Sequence, residues 1–171
     1  MRKFRNVGGL CLALALLAGS CFAEEVSPAK FYKVEFVVRE VEGGKVLNAR
    51  AYSAVTSTGA GRTCSIRTGS KVPIPTTNVA PSQYTYFDLG VNIDCFAVKE
   101  APGQLMLRVE ADISSTLQEP TIAAALPPVV RQNKWGSEVI VPLRKPTVIF
   151  SSDDVAGKRQ MQLELTATLI P

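Results

Sequence analysis

Histidine is absent from all 171 residues. That excludes serine or cysteine nucleophiles activated by imidazole, and it leaves a zinc site only cysteines and carboxylates. No segment carries a long helical period, and no internal repeat is visible. Gly59 and Gly61 in the run Ser57 to Gly61 are followed by neither a helix nor a Gly-Lys-Ser/Thr closure, so they read as a turn rather than a phosphate loop. Ser27-Pro28-Ala29-Lys30 matches the Ser-x-x-Lys pattern of penicillin-recognising enzymes, but no Lys-Thr-Gly partner follows it. Asp153-Asp154 lacks the further oxygen ligands at fixed spacing that a calcium loop needs. No catalytic residues, metal ligands or cofactor site are expected.

The amino terminus places Arg2, Lys3 and Arg5 before the apolar run Leu10 to Ala18 and then small residues. This is the pattern of a secretory signal, residues 1–23, with cleavage after Ala23; the apolar run is too short for a permanent span. The rival is a lipoprotein cut before Cys21, since Leu17-Ala18-Gly19-Ser20-Cys21 loosely resembles a lipobox. Without residues 1–23, Lys+Arg falls from 19 to 16 against 15 Asp+Glu. The net charge is then about +1, and no clustered basic footprint for nucleic acid remains. Residues 24–171 are expected to form one domain of an exported protein, in the periplasm or at the outer-membrane periphery, touching membrane only through a lipid anchor or an assembly.

Period-two alternation dominates the rest of the chain. Tyr32, Val34, Phe36 and Val38 alternate with Lys33, Glu35 and Arg39, and Gly43-Gly44 then leads into Val46 to Ser57. This predicts a hairpin in which opposed residue numbers sum to 87, Phe36 facing Ala51 and Val38 facing Ala49. Phe87, Leu89, Val91, Ile93, Cys95 and Ala97 share one strand face. If this strand pairs with Cys64 to Arg67 about the Pro81 loop, with numbers summing to 159, Cys64 faces Cys95 and Ile66 faces Ile93. The apolar faces then coincide, and a one-residue slip would destroy the match. A Cys64–Cys95 disulfide is expected on this register; two buried thiols are the alternative.

Leu105, Leu107, Val109, Ala111 and Ile113 form a third strand, with Glu110 and Asp112 on its outer face. Thr116 to Pro128 reads as irregular, either a short helical plug or an exposed apolar loop. Val129 to Gln132, Ser137 to Val141 and Thr147 to Ser151 read as short strands, with Trp135-Gly136 as a turn. Pro142 and Pro146 mark an edge or a break, and Gln160 to Leu169 alternates as a terminal strand. The expected fold is all-β: a mainly antiparallel sandwich or curled sheet of about seven or eight strands.

Four blocks over residues 62–141 resemble the core domain of bacterial secretins. They are Gly69-Ser70-Lys71-Val72-Pro73-Ile74-Pro75-Thr76, Tyr86-Phe87-Asp88-Leu89-Gly90-Val91-Asn92-Ile93, the strand Gly103 to Ser114, and Pro128-Val129-Val130-Arg131. Gly69, Pro73, Gly90 and Arg131 are the motif positions. The family's later Gly-rich block is replaced by Pro142-Leu143-Arg144-Lys145-Pro146, and only the Phe31 to Ser57 hairpin precedes the core. The resemblance implies a non-catalytic secretin-like module of the cell envelope that self-associates or docks onto a protein partner by strand addition. A periplasmic small-ligand or glycan binding module is the alternative, with Tyr84, Tyr86 and Trp135 lining a pocket. A carboxylate-dependent hydrolase is the third reading.

Overall fold

The computed structural model describes residues 28–59, 63–76, 83–117, 129–154 and 157–171. The signal segment, Cys21, the Pro81 loop and most of the irregular 116–128 segment lie outside the described residues. Eight strands follow in chain order: β1 (Lys30–Glu42), β2 (Lys45–Thr58), β3 (Thr63–Pro75), β4 (Tyr84–Ala101), β5 (Gln104–Leu117), β6 (Val129–Pro142), β7 (Thr147–Asp153) and β8 (Arg159–Ile170). They form two antiparallel four-stranded sheets, β2-β1-β8-β7 and β3-β4-β5-β6.

The sheets pack face to face because each strand hides one alternating set of side chains. Tyr32, Val34 and Phe36 from β1 and Leu163, Leu165 and Ala167 from β8 meet Val91, Ile93 and Cys95 from β4. Leu105, Leu107, Val109, Ala111 and Ile113 from β5 complete the layer, with Val141 from β6. β2 lies beside β3 and β7 beside β6, so the two sheets end together on both sides.

The β3–β4 ladder has Cys64 opposite Cys95 and Ile66 opposite Ile93, and the two cysteines are joined as a disulfide. The β1–β2 hairpin differs from its expected register. Numbers sum to 87 only beside the turn, at Val41–Val46 and Glu42–Lys45; a bulge at Glu40/Val41 then shifts the ladder, placing Phe36 opposite Tyr52 and Val38 opposite Arg50. One extra residue exchanges the two faces of β2. Tyr52 and Ala54 pack on the core, while Leu47 and Val55 are half exposed. Leu47→Ser is therefore expected to change stability by no more than about 0.5 kcal/mol, whereas Tyr52→Ala costs about 2 kcal/mol or more, as read from urea unfolding midpoints.

Two further expectations fail. Trp135-Gly136 is not a turn: β6 runs unbroken from Val129 to Pro142, with Trp135 opposite Ala111 and Gly136 opposite Glu110. The fourteen-residue ladder with β5 supplies hydrogen bonds on both sides of the glycine, and tertiary pairing outweighs its weak strand preference. Thr116 and Leu117 likewise belong to β5, opposite Val130 and Val129. Pro142 ends an edge strand, as its missing N–H requires.

Candidate functional site

Two of the motif positions meet midway along the β3–β4 ladder. Gly69 lies opposite Gly90. Gly90 has φ +154°, and a Cβ there would overlap the Thr68 carbonyl oxygen, while one on Gly69 would overlap the Leu89 carbonyl oxygen. The strands approach so closely that only hydrogen fits on either Cα. The Gly90 N–H donates to Ser114 Oγ of β5 at 3.0 Å, and that hydroxyl donates to the Asp88 carbonyl at 3.4 Å. Beyond this glycine pair β3 and β4 run on as a tip in which Pro73 pairs with Tyr86. Tyr84, Tyr86 and Phe87 are exposed there.

The outer face of the β3-β4-β5-β6 sheet is covered by charge. Arg67 donates to both Asp94 carboxylate oxygens, at 2.8 and 2.6 Å, and holds that carboxyl below the usual carboxylate range. Lys134 pairs with Asp112 at 3.3 Å, Arg108 with Glu110 at 3.2 Å and Lys71 with Asp88 at 3.6 Å. Glu110 and Asp112 thus sit on a solvated face, each beside a cation. Among the described residues no cluster of three or more metal-ligating side chains forms. A groove of about 620 Å³ lies over this face, lined by Asp94, Arg108, Glu110, Asp112, Lys134 and Gly136. Its walls are ion pairs open to water rather than convergent buried groups.

The expected aromatic pocket does not assemble. Trp135 packs inward against Phe150 with ring centroids 5.5 Å apart, whereas Tyr84 and Tyr86 stand exposed at the tip. Strand alternation puts Trp135 on the core side, away from them.

Two corners join the sheets through polar contacts that sequence patterning missed. At one, the register shift at Ala97/Lys99 brings Glu100 opposite the buried Leu105, turning an otherwise outward carboxylate toward the seam. Lys30 pairs with it at 2.6 Å. Lys30 and the Tyr32 hydroxyl together hold Glu100 below the usual range, and burial followed by the carboxylate pushes Tyr32 up to about 12. Nearby the Ala97 N–H donates to Thr56 Oγ1 at 3.3 Å. Lys30, the last residue of the Ser-x-x-Lys pattern, is thus a strand residue holding a carboxylate. At the other corner Arg131 pairs with Asp154 at 2.6 Å, linking β6 to the β7–β8 turn. Asp154, the second residue of the Asp153-Asp154 pair, is thus the carboxylate that pairs with Arg131. A bulge has no sequence period of its own, so nothing in the pattern marked Glu100.

These shifts set the pH response. Glu100 and Asp94 have folded values below their ordinary 4.5 and 3.8. Their contribution is complete above those values and is lost as pH falls through the folded ones. Tyr32 is an acid whose folded value lies above its ordinary 10.0, so its contribution is present below 10.0 and lost as pH rises toward about 12. The shift corresponds to roughly 2 to 3 kcal/mol. Thermal unfolding is expected to show a flat midpoint between about pH 5 and 9 with a fall on each side, and Tyr32→Phe should abolish most of the alkaline fall.

No family model matches the chain, and no curated protein matches it. Solved structures do. The type III secretion injectisome secretin InvG of Salmonella superimposes with a TM-score of 0.52 at 8 % identity, over 84 % of this chain and 64 % of that one. InvG within the injectisome basal body, solved with PrgH and PrgK, gives 0.52 at 8 % identity, over 84 % and 45 %. The type II secretin XcpQ of Pseudomonas aeruginosa gives 0.47 at 13 % identity, over 83 % and 57 %. The chain spans less than two thirds of these relatives' length. This chain has a secretin-like β fold.

Proposed function

We propose that the chain is a non-catalytic component of the cell envelope that works by protein–protein contact, building or joining a secretin-like assembly through its strand edges. The observation that carries this is the coincidence of edges. β2 and β3 end the two sheets on one side, and β7 and β6 end them on the other. Each sheet is antiparallel with an even number of strands, so the strands at its two edges run antiparallel to each other. A second molecule can continue both sheets in the same head-to-tail step, without reversing any strand. Unpaired edges of this length are templates for strand addition. The likeness to InvG supports the same reading at the level of fold.

Arg2, Lys3, Arg5 and the apolar run support an export route, and the Cys64–Cys95 disulfide suits an oxidising compartment. Envelope extraction in mild detergent followed by native mass measurement tests the proposal. A ring-sized multimer or a stable hetero-complex is expected; a strict monomer with no envelope cross-link would overturn it.

A further inference from the structure

We infer that Arg131 and Asp154 form a latch holding the free end of the sandwich shut, which makes Arg131 a positioning residue for assembly. The part played in assembly rests on the reading above; the latch itself does not.

The chain passes between the sheets twice, from β2 to β3 and from β6 to β7. Both crossings fall at the same end. Thr58 pairs with Lys30, and the next residue of that strand, Phe31, pairs with Ile170; the β6–β7 connection reaches the same place, where the Arg144 N–H donates to the Ala167 carbonyl at 2.8 Å. The contacts of Lys30 with Glu100 and of the Ala97 N–H with Thr56 gather there too. At the opposite end no connection joins the sheets, and there, among the described residues, Arg131 and Asp154 form the ion pair that spans them. Its polar neighbours each stay within one sheet: Arg159 with Glu40 and Gln160 with Asp153 in one, Gln132 with Asp112 in the other.

Arg131 stands on the core-facing side of β6, in phase with Trp135, Val139 and Val141. A cavity of about 250 Å³ opens beside it between the sheets, lined also by Glu40, Ser115, Asn133, Asp154 and Met161. Charge rather than apolar packing therefore closes this end. The Arg131 and Asp154 side chains are 25 % and 15 % exposed, so each is partly desolvated and depends on the other for compensation.

The β7–β8 turn is shaped to present the carboxylate. The Asp154 N–H donates to the Arg159 carbonyl at 2.8 Å, and the Asp154 carbonyl accepts from the Gly157 N–H at 3.4 Å. A Cβ on Gly157 would lie 2.8 Å from Asp154 Oδ2, the oxygen that Arg131 holds at 2.6 Å. Glycine at that position leaves the carboxylate its place.

Two sheets joined by chain at one end and by an ion pair at the other can part at the second end. Continuing both sheets in one step needs the edges of β6 and β7 at a fixed spacing, and the latch sets that spacing where no connection does. When it is lost, apparent affinity for the next molecule falls in proportion to the fraction that stays closed.

Full-length Arg131→Gln and Asp154→Asn should each weaken assembly in extracted envelope about tenfold, with the Cys64–Cys95 bridge retained. Arg131→Lys keeps the charge and should keep most of the assembly, and Gly157→Ala should behave as Asp154→Asn does. Residue-resolved hydrogen exchange reads the latch without assembly. In the Gln and Asn variants the amides of Arg131 to Lys134 and of Arg159 to Met161 should exchange faster, while those near the crossings, Leu105 to Leu107 and Val139 to Val141, hold the wild-type rate. Acceleration spread evenly over both sheets, or none at the free end, would overturn the latch. Full assembly of both variants with the free end opened would overturn the positioning role, and a wild-type protein that never assembles would overturn the reading above but not the latch.

Discussion

Gly90→Ala is expected to destabilise the domain by about 3 kcal/mol or more, the sum of a strained backbone and a backbone overlap that no side-chain rotation relieves. At φ +154° the alanine methyl group would be driven into the Thr68 carbonyl and the Gly69 Cα. The two strands must then separate where Gly90 also donates to Ser114. Gly43→Ala provides the contrast: it too has positive φ, but nothing lies within 4 Å of the point a Cβ would occupy, so it costs about 1 kcal/mol. Guanidinium unfolding of both variants checks the difference. Equal losses at the two glycines would show that the close approach of β3 and β4 contributes nothing.

Loss of the disulfide is the second large effect. Cys64 and Cys95 are 31 residues apart, and a bridge over such a loop stabilises by about 3 to 4 kcal/mol. Replacing both with serine should lower the melting temperature by roughly 10 °C. The damage should not be uniform. On its core side β3 buries Cys64 and partly buries Ile66, while Thr68 and Ser70 are exposed. With β4 as its neighbour on one side alone, β3 depends on that ladder and on the bridge. In the double serine variant its amides should exchange much faster than those of β1 or β8, which lie inside the other sheet. Uniform acceleration across all eight strands would show that the bridge supports the whole domain rather than this edge.

Much of this architecture could be read from residue order. The β3–β4 register followed from two constraints that had to agree, the apolar face and the cysteine pair, and the ladder places Cys64 against Cys95. The alternation in β1, β5 and β8 was equally legible, because each has one buried face and one polar face. Bulges were not legible. The irregularity at Glu40/Val41 reversed the faces of β2, where Leu47, Ala51 and Val55 alternate with Arg50, Tyr52 and Ala54 and so made the wrong face the more apolar one. The irregularity at Ala97/Lys99 turned Glu100 toward Lys30. Trp135-Gly136 misled for another reason: a glycine followed by a serine carries the signature of a turn, and only the pairing with Ala111 and Glu110 makes it strand. The motif positions were found one at a time, but the meeting of Gly69, Gly90 and Ser114 depends on pairing between separate strands.

Hydrogen exchange, resolved by residue and compared between dilute monomer and concentrated or membrane-extracted protein, tests the edge-built assembly most directly. Amides of the edge strands β2, β3, β6 and β7 should slow on association, while those of the interior strands β1, β4, β5 and β8 stay as they were. Association that leaves all four edges exchanging at monomer rates would contradict the account.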